Sequence, residues 1–86
     1  MQYVTEPAVG MSESISNNIR LLRFMQREMT QAELGEKVGL TRQTIAAIEA
    51  GKYSPSLEVA FKIAEVFDKP LAEVFQWQKV QFKSPA

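Results

Sequence analysis

The chain has 86 residues, ten basic and ten acidic side chains, and neither cysteine nor histidine. This length fits one small domain, and the missing residue types exclude disulfides, cysteine nucleophiles, histidine bases and zinc sites with nitrogen and sulfur ligands. The sequence has no run of about 18 apolar residues and no basic segment leading into an apolar one, so we expect a cytoplasmic protein with no membrane span. We also expect no metal and no cofactor.

The two ends of the chain are expected to flank the domain rather than belong to it. Residues 1–14 read as an N-terminal arm, because Pro7 and Gly10 interrupt any helix, although the tripeptide QYV is compatible with a short strand. Residues 15–77 form the predicted domain, and residues 78–86 form a C-terminal tail.

The first predicted helix starts near Ser14 or Ser16, both good capping residues, and ends around Glu28. One face of this helix follows helical spacing. Three apolar residues and one polar residue lie along it: Ile15, Ile19, Leu22 and Gln26.

Two short helices joined by a tight turn follow. Thr30 and Glu33 form the pattern of a capping box at the start of the second helix, and Gly39 stands where a left-handed residue ends it. Thr41 caps the third helix and Gly51 ends it. The predicted inner faces consist of Ala32, Leu34, Val38, Ile45 and Ile48. A turn of three to four residues with a glycine joins helices at a steep angle.

Two more helices complete the predicted domain. Ser56 caps the fourth, and Pro70 is expected at the first position of the fifth. Their apolar positions are Leu57, Ala60, Ile63, Ala64, Phe67, Leu71, Val74 and Phe75. In the last ten residues a loose alternation runs through Trp77, Lys79 or Val80, and Phe82, which predicts an extended strand or a docked tail.

The start of the third helix carries the side chains that suggest a function. Arg42 can donate twice to guanine and Gln43 can pair twice with adenine in the major groove, while Thr44 can meet a thymine methyl or a phosphate. Alternatively, Arg42 and Gln43 are simply solvated residues of the first helical turn. However, an arginine there opposes the helix macrodipole, so local stability does not explain it. Small residues on the outer face (Ala46, Ala47 and Ala50) keep the helix slim enough for a groove about 12 Å wide.

Other residues are candidates for phosphate contacts. Gln31 begins the second helix, whose positive end can bind an anion, and Lys52 and Tyr53 follow the third helix. Alternatively, Gln31 is simply a polar first residue of its helix, and the segment with Lys52 and Tyr53 is simply an exposed turn. The charge distribution is consistent with this assignment, since residues 15–52 hold six basic against four acidic side chains while residues 1–14 hold only two acidic ones.

Arg23 and Glu49 each follow an apolar core position, Leu22 and Ile48 respectively. We therefore predict a partly buried ion pair between the first and third helices. Its role would be to fix the third helix against the rest of the domain.

The stretch MTQAELGEKVGLTRQTIAAIEAGKYSPSLEVAFKIAEVF resembles the phage-repressor-like helix-turn-helix family, the Xre or Cro/C1 type, in its short stand-alone form. The resemblance covers residues 16–77. It implies an all-α fold, a five-helix lambda-repressor-like domain that binds duplex DNA as a dimer. It places Arg42, Gln43 and Thr44 towards bases, and it places phosphate contacts at Gln31, Thr41, Lys52 and Tyr53. The Arg23 and Glu49 pair also matches the family pattern.

Three positions depart from that family's pattern. Ala50 stands where a phosphate-binding Asn is common, which removes one contact. Gly35 replaces the usual Ala in the second helix, at roughly 1 kcal/mol of helix propensity unless close packing requires it. The stretch from Arg23 to Thr30 is one residue longer than usual.

Two functions fit these features. The first is a sequence-specific transcriptional regulator, a repressor that binds a palindromic double-stranded DNA operator as a homodimer, with no small-molecule ligand. The second is an antitoxin-like or scaffold protein whose main partner is another protein. The residues that suggest a protein contact are Leu21, Phe24, Trp77 and Phe82. The alternative is that the C-terminal tail covers the first helix within a single chain. An enzyme is not expected, because no nucleophile or paired-carboxylate arrangement stands out.

Overall fold

The computed structural model describes residues 15–78. In chain order its elements are strand β1 (Ile15–Asn17), helices α1 (Ile19–Met25), α2 (Gln31–Val38), α3 (Arg42–Glu49), α4 (Leu57–Phe67) and α5 (Leu71–Val74), and strand β2 (Phe75–Trp77). The predicted five-helix, mainly α-helical fold is confirmed. No helix among these residues is long and apolar enough to cross a membrane.

The two strands form an antiparallel ribbon that joins the two ends of the domain. Ile15 lies opposite Trp77, and Asn17 lies opposite Phe75. The predicted start of the first helix at Ser14 or Ser16 is therefore wrong, as is the assignment of Ile15 to its apolar face. The helix begins only after Asn18, whose backbone N–H donates to the Val74 carbonyl (2.9 Å) and whose side-chain amide donates to the Glu73 carbonyl (3.0 Å).

Several predictions about the two ends lie outside the described residues. These are the N-terminal arm with its QYV strand, the tail beyond Gln78, and the role of Phe82. The β2 strand begins earlier than the predicted tail, because Phe75 continues from α5 with extended backbone angles. Phe75 is accordingly a half-buried strand residue and not part of the fifth helix.

The first helix also ends earlier than predicted, at Met25 instead of Glu28. Arg27 and Glu28 both have left-handed backbone angles (φ 57° and 56°). The turn is closed by backbone hydrogen bonds from Glu28 to Phe24 (3.0 Å) and from Met29 to Arg23 (2.9 Å). Two consecutive left-handed residues reverse the chain here, and they accommodate the longer stretch between Arg23 and Thr30.

Glu28→Gly is expected to raise the free energy of unfolding by about 1 kcal/mol, since glycine removes the left-handed penalty of an L-residue. Glu36→Gly is the matched control, because Glu36 is exposed inside α2 and glycine there should cost about 1 kcal/mol. Urea unfolding followed by circular dichroism measures both changes. Destabilisation by both variants would contradict the strain assigned to the turn.

Hydroxyl caps begin three of the helices, as the sequence predicted. Thr30 accepts from the Glu33 amide and Glu33 reaches back to the Thr30 amide, which completes the capping box of α2. Thr41 caps α3 by accepting from the Thr44 amide, and Ser56 caps α4 by accepting from the Val59 amide. Pro70, in contrast, precedes α5 as its capping residue and does not occupy the first helical position.

The core lies between α1, α2, α3, α4 and α5. Its fully buried side chains come from every helix, and they are Ile19, Leu34, Ile45, Ile48, Ile63 and Val74. Two residues predicted to face inwards do not. Ala32 is exposed on α2, and Leu57 is exposed in the first turn of α4, ahead of the buried Ala60. The buried face of α3 leaves its first turn free of the core.

Candidate nucleic-acid interface

The turn between α2 and α3 is held by a close backbone contact. The Leu40 amide donates to the Gly35 carbonyl (2.8 Å), and Gly39 has the left-handed φ of 79° predicted for it. A Cβ atom on Gly35 would lie 2.5 Å from the Leu40 carbonyl oxygen. Close packing thus explains why glycine occupies this helical position, and it sets how closely α3 follows α2.

The first turn of α3 is organised by its capping threonine. The Thr44 amide donates to the Thr41 hydroxyl oxygen (3.1 Å), and the two hydroxyl oxygens lie 3.0 Å apart. No acidic residue lies in this first turn, so the positive end of the helix dipole has no acidic neighbour within that turn. Such an end favours an anionic partner.

Arg42 and Gln43 are both exposed at the tip of α3. The Arg42 guanidinium donates through Nη1 to the Oε1 atom of Gln31 (3.3 Å). Gln31 starts α2, so this contact links the tips of the two helices. Thr44 is half-buried beside the cap. The side chains predicted to read bases therefore project from one end of α3, with Gln31 next to them.

Arg23 and Glu49 lie in contact between α1 and α3. The Arg23 Nε atom is 2.5 Å from Glu49 Oε2, and Nη2 is 3.1 Å from Oε1. The Arg23 Nη1 atom also donates to the Met29 carbonyl (2.7 Å). With the two side chains 15% and 10% exposed, the pair is largely removed from water and fixes the C-terminal turn of α3 against α1.

Gln31 connects this ion pair to the tip of α3. Its amide nitrogen donates to Glu49 Oε1 (3.2 Å), while its amide oxygen accepts from Arg42. A polar chain thus runs from Arg23 through Glu49 and Gln31 to Arg42. Sequence reasoning assigned Gln31 only to phosphate. Its side chain is committed within the domain, while its backbone N–H belongs to the first turn of α2, where amides lack helical acceptors.

The segment after α3 exposes the other predicted phosphate contacts. Gly51 has a left-handed φ of 76°, and the Lys52 amide donates to the Ala47 carbonyl (2.9 Å). The Lys52 and Tyr53 side chains are both exposed. They therefore lie just past the C-terminal end of α3, separated from Arg42 by the length of the helix.

A further polar residue holds α3, and sequence reasoning missed it. The Asn17 side-chain amide of β1 donates to the Ile48 carbonyl (3.1 Å), and its oxygen accepts from the Ile19 amide (3.1 Å). The only sequence signal was the Asn-Asn pair before the apolar helix, since asparagine often hydrogen-bonds nearby backbone.

Three of the side chains predicted to contact a protein or the tail are exposed, and they lie on two separate elements. Leu21 and Phe24 project from α1, and Trp77 projects from β2. Phe82, which was grouped with them, lies outside the described residues. Within residues 15–78 no three carboxylates come together in a manner suited to a metal ion.

Two capped helices joined by a glycine turn, with polar side chains on the tip of the second, define a helix-turn-helix protein. The family model described as Helix-turn-helix matches residues 19–74. The chain belongs to this family, as its sequence predicted, and is thereby a DNA-binding transcriptional regulator by class.

Individual relatives are named as transcriptional regulators or as a transcriptional repressor. The chain is 42% identical over 64 residues to an uncharacterized HTH-type transcriptional regulator of Methanocaldococcus jannaschii, in an alignment that covers 74% of this chain and 96% of that relative. It is 54% identical over 46 residues to the uncharacterized regulator YgzD of Bacillus subtilis (54% of this chain, 70% of YgzD). It is 37% identical over 59 residues to the cryptic phage CTXphi transcriptional repressor RstR of Vibrio cholerae. That alignment covers 69% of this chain and 52% of RstR.

Proposed function

We propose that this protein is a sequence-specific repressor that inserts α3 into the major groove of an operator. The exposed Arg42 and Gln43 at the tip of α3 carry the proposal. Both residue types pair twice with purine edges in the major groove, and residues at the start of a recognition helix are the ones that reach bases. RstR, a relative, is named a repressor, and blocking a promoter requires only occupancy of DNA.

Phosphate contacts would set the position of α3 on the duplex. The backbone N–H of Gln31, at the start of α2, would donate to one phosphate. Thr41 would contact the DNA backbone beside that phosphate. Lys52 and Tyr53 would bind the backbone on the other side of the groove. Such contacts fix the register of a protein on DNA without reading its sequence.

The regulator would act in the cytoplasm as a homodimer on a palindrome. Two-fold proteins of this type bind half-sites one DNA turn apart, about 34 Å. Residues 15–77 would form the unit that docks on each half-site, with residues 1–14 and 78–86 flanking it. No cofactor or small-molecule ligand enters this proposal.

Selection of bound duplexes from a random pool, at two salt concentrations, tests the proposal. We expect a palindromic consensus whose half-sites are about one turn apart. Recovery of no consensus, with binding that disappears uniformly as salt increases, would leave only non-specific affinity and would refute sequence-specific repression.

Lys52→Ala is expected to weaken binding to all sequences alike and to reduce the slope of log affinity against log salt by about one unit, because one phosphate contact is lost. Lys69→Ala is the control, since it removes the same charge from the exposed end of α4. Titrations of labelled duplex at several salt concentrations give both slopes. An unchanged slope for Lys52→Ala, or an equal change for both variants, would contradict the assignment.

The exposed apolar residues of α1 favour a second candidate, an antitoxin-like or scaffold protein that binds another protein. Leu21, Phe24 and Met25 together present an apolar surface, and such patches mark interaction sites. The selection experiment separates the two functions, since a scaffold protein would yield no DNA consensus.

A further inference from the structure

A chain of four polar side chains joins the ion pair of Arg23 and Glu49 to the tip of α3. The Gln31 amide nitrogen donates to Glu49 Oε1 (3.2 Å), and the Gln31 amide oxygen accepts from Nη1 of Arg42 (3.3 Å). A carboxylate accepts and a guanidinium donates, whereas an amide presents a donor on one side and an acceptor on the other. Gln31 therefore satisfies both neighbours in one orientation of its amide and neither of them in the flipped one.

We propose that Glu49 is a positioning residue for base recognition, and that it acts on Arg42 by setting the orientation of the Gln31 amide. This role rests on the proposed function, since it requires Arg42 to read a base, and it adds two side chains that do not touch that base. Glu49 is the last residue of α3 and Arg42 is the first. The route between them passes through Gln31 of the neighbouring helix.

The inner end of this chain of side chains is the more firmly held one. Arg23 donates from Nε and Nη2 to the two carboxylate oxygens of Glu49, whose side chain is 10% exposed. Gln31 is half-buried beside it. A hydrogen bond to an ionised acceptor is stronger than a neutral one, and shielding from water strengthens it further. The bond to Glu49 therefore fixes the Gln31 amide, and the outer bond to the exposed Arg42 follows from that orientation.

The orientation of the Arg42 guanidinium matters because its donors form a rigid planar fork. Pairing twice with guanine requires that fork to lie along the edge of the base. Arg42 is exposed, and a long side chain without a partner loses rotamer freedom when it binds. The bond to Gln31 restrains the guanidinium before DNA arrives. It occupies one hydrogen of Nη1, so the remaining donors stay available to a base.

Gln31→Met in the full chain tests the link between Gln31 and Arg42. Methionine keeps the length of the side chain and the backbone N–H assigned to a phosphate, but it provides no amide oxygen for Arg42. The measured quantity is base discrimination, which we define as the ratio of affinities for the selected operator and for an operator altered at the base pair where Arg42→Ala loses selectivity.

We expect Gln31→Met to lower base discrimination about 2- to 12-fold, the range of one net hydrogen bond. It should have no further effect in the Arg42→Ala background, because it acts through Arg42. Gln26→Met is the matched control, since Gln26 is an exposed glutamine whose amide donates to the Val66 carbonyl of α4. Its base discrimination should stay at the wild-type value.

Glu49→Gln tests whether Glu49 sets the orientation. Arg23 only donates, so it attracts the amide oxygen of the substituted side chain and leaves the amide nitrogen facing Gln31. The Gln31 amide then turns its own nitrogen towards Arg42, where two donors oppose each other. We expect base discrimination to fall as far as in Gln31→Met. Adding Gln31→Glu supplies a carboxylate that accepts from both neighbours, so the double variant should regain the discrimination that Glu49→Gln alone loses.

The outcomes separate this inference from the proposed function. Unchanged base discrimination in Gln31→Met, or an equal loss on every duplex as a phosphate contact would give, would overturn the inference and leave the regulator intact. Failure of the double variant to regain discrimination would overturn the role of Glu49. A wild type that selects no DNA consensus would refute both proposals. If circular dichroism finds Glu49→Gln unfolded, Glu49→Asp keeps the charge beside Arg23 and withdraws the carboxylate from Gln31, and undiminished discrimination would again refute the inference.

Discussion

Glu49→Ala is expected to lower the free energy of unfolding by about 3 kcal/mol, near the lower end of the cost of breaking a buried ion pair. The Arg23 guanidinium would remain largely shielded from water, with only the Met29 carbonyl left as a partner. In a domain of this size each kcal/mol corresponds to about 4–8 °C, so the thermal midpoint should fall by roughly 12–24 °C. Chemical and thermal unfolding followed by circular dichroism measure the change.

Glu36→Ala is the control for this prediction, since Glu36 is an exposed acidic residue of α2 whose loss should change stability by no more than about 0.5 kcal/mol. A double-mutant cycle with Arg23→Ala isolates the coupling between the two side chains. A loss below about 1 kcal/mol for Glu49→Ala, the range of exposed ion pairs, would show that the pair does not fix α3.

Arg42→Ala is expected to reduce affinity for the selected operator by about 5- to 150-fold for each half-site, which corresponds to the 1–3 kcal/mol of one bidentate base contact. The loss should be confined to one base pair in each half-site, where the variant would accept any base. Repeating the selection with the variant, together with titration of single-base substitutions in the operator, measures both effects.

Arg20→Ala separates base reading from general charge, because Arg20 is an exposed arginine of α1 and the two variants have equal net charge. It should retain the wild-type consensus. If Arg42→Ala selected the same consensus as the wild type, or if the two variants lost affinity equally, the assignment of Arg42 to a base would be wrong.

The local signals in this sequence were sufficient to locate most helices. Thr30, Thr41 and Ser56 begin α2, α3 and α4, because a hydroxyl before an apolar helical pattern satisfies amides that the helix itself leaves free. The buried Ile45 and Ile48 also follow directly from helical spacing. Each of these features depends on residues a few positions apart.

The ribbon was missed because it depends on residues far apart in the chain. Ser16 lies opposite Gln76, 60 positions away, and no short window contains both strands. Ser14 and Ser16 also suit a helix start, so the capping signal favoured a longer first helix. Pairing with β2 determined the outcome, since tertiary contacts override local preference in short segments.

The candidate site was predictable only in part for the same reason. The apolar neighbours of Arg23 and Glu49 indicated that both side chains face inwards, and the structure brings them together. The position of Gln31 between Glu49 and Arg42 follows instead from the close approach of α2 and α3 at Gly35. The separation between α2 and α3 is a property of the folded backbone and leaves no pattern of its own in the sequence.

The bonds at both ends of α3 have a thermodynamic consequence for complex formation. Asn17 holds the Ile48 carbonyl at one end, and Gln31 holds Arg42 at the other. A helix restrained in this way has little conformational freedom left to lose when a ligand engages it, so the entropic penalty of association falls mainly on the ligand and on a few surface side chains. The domain would meet its target preorganised, and the heat-capacity change would then reflect buried surface and not coupled folding.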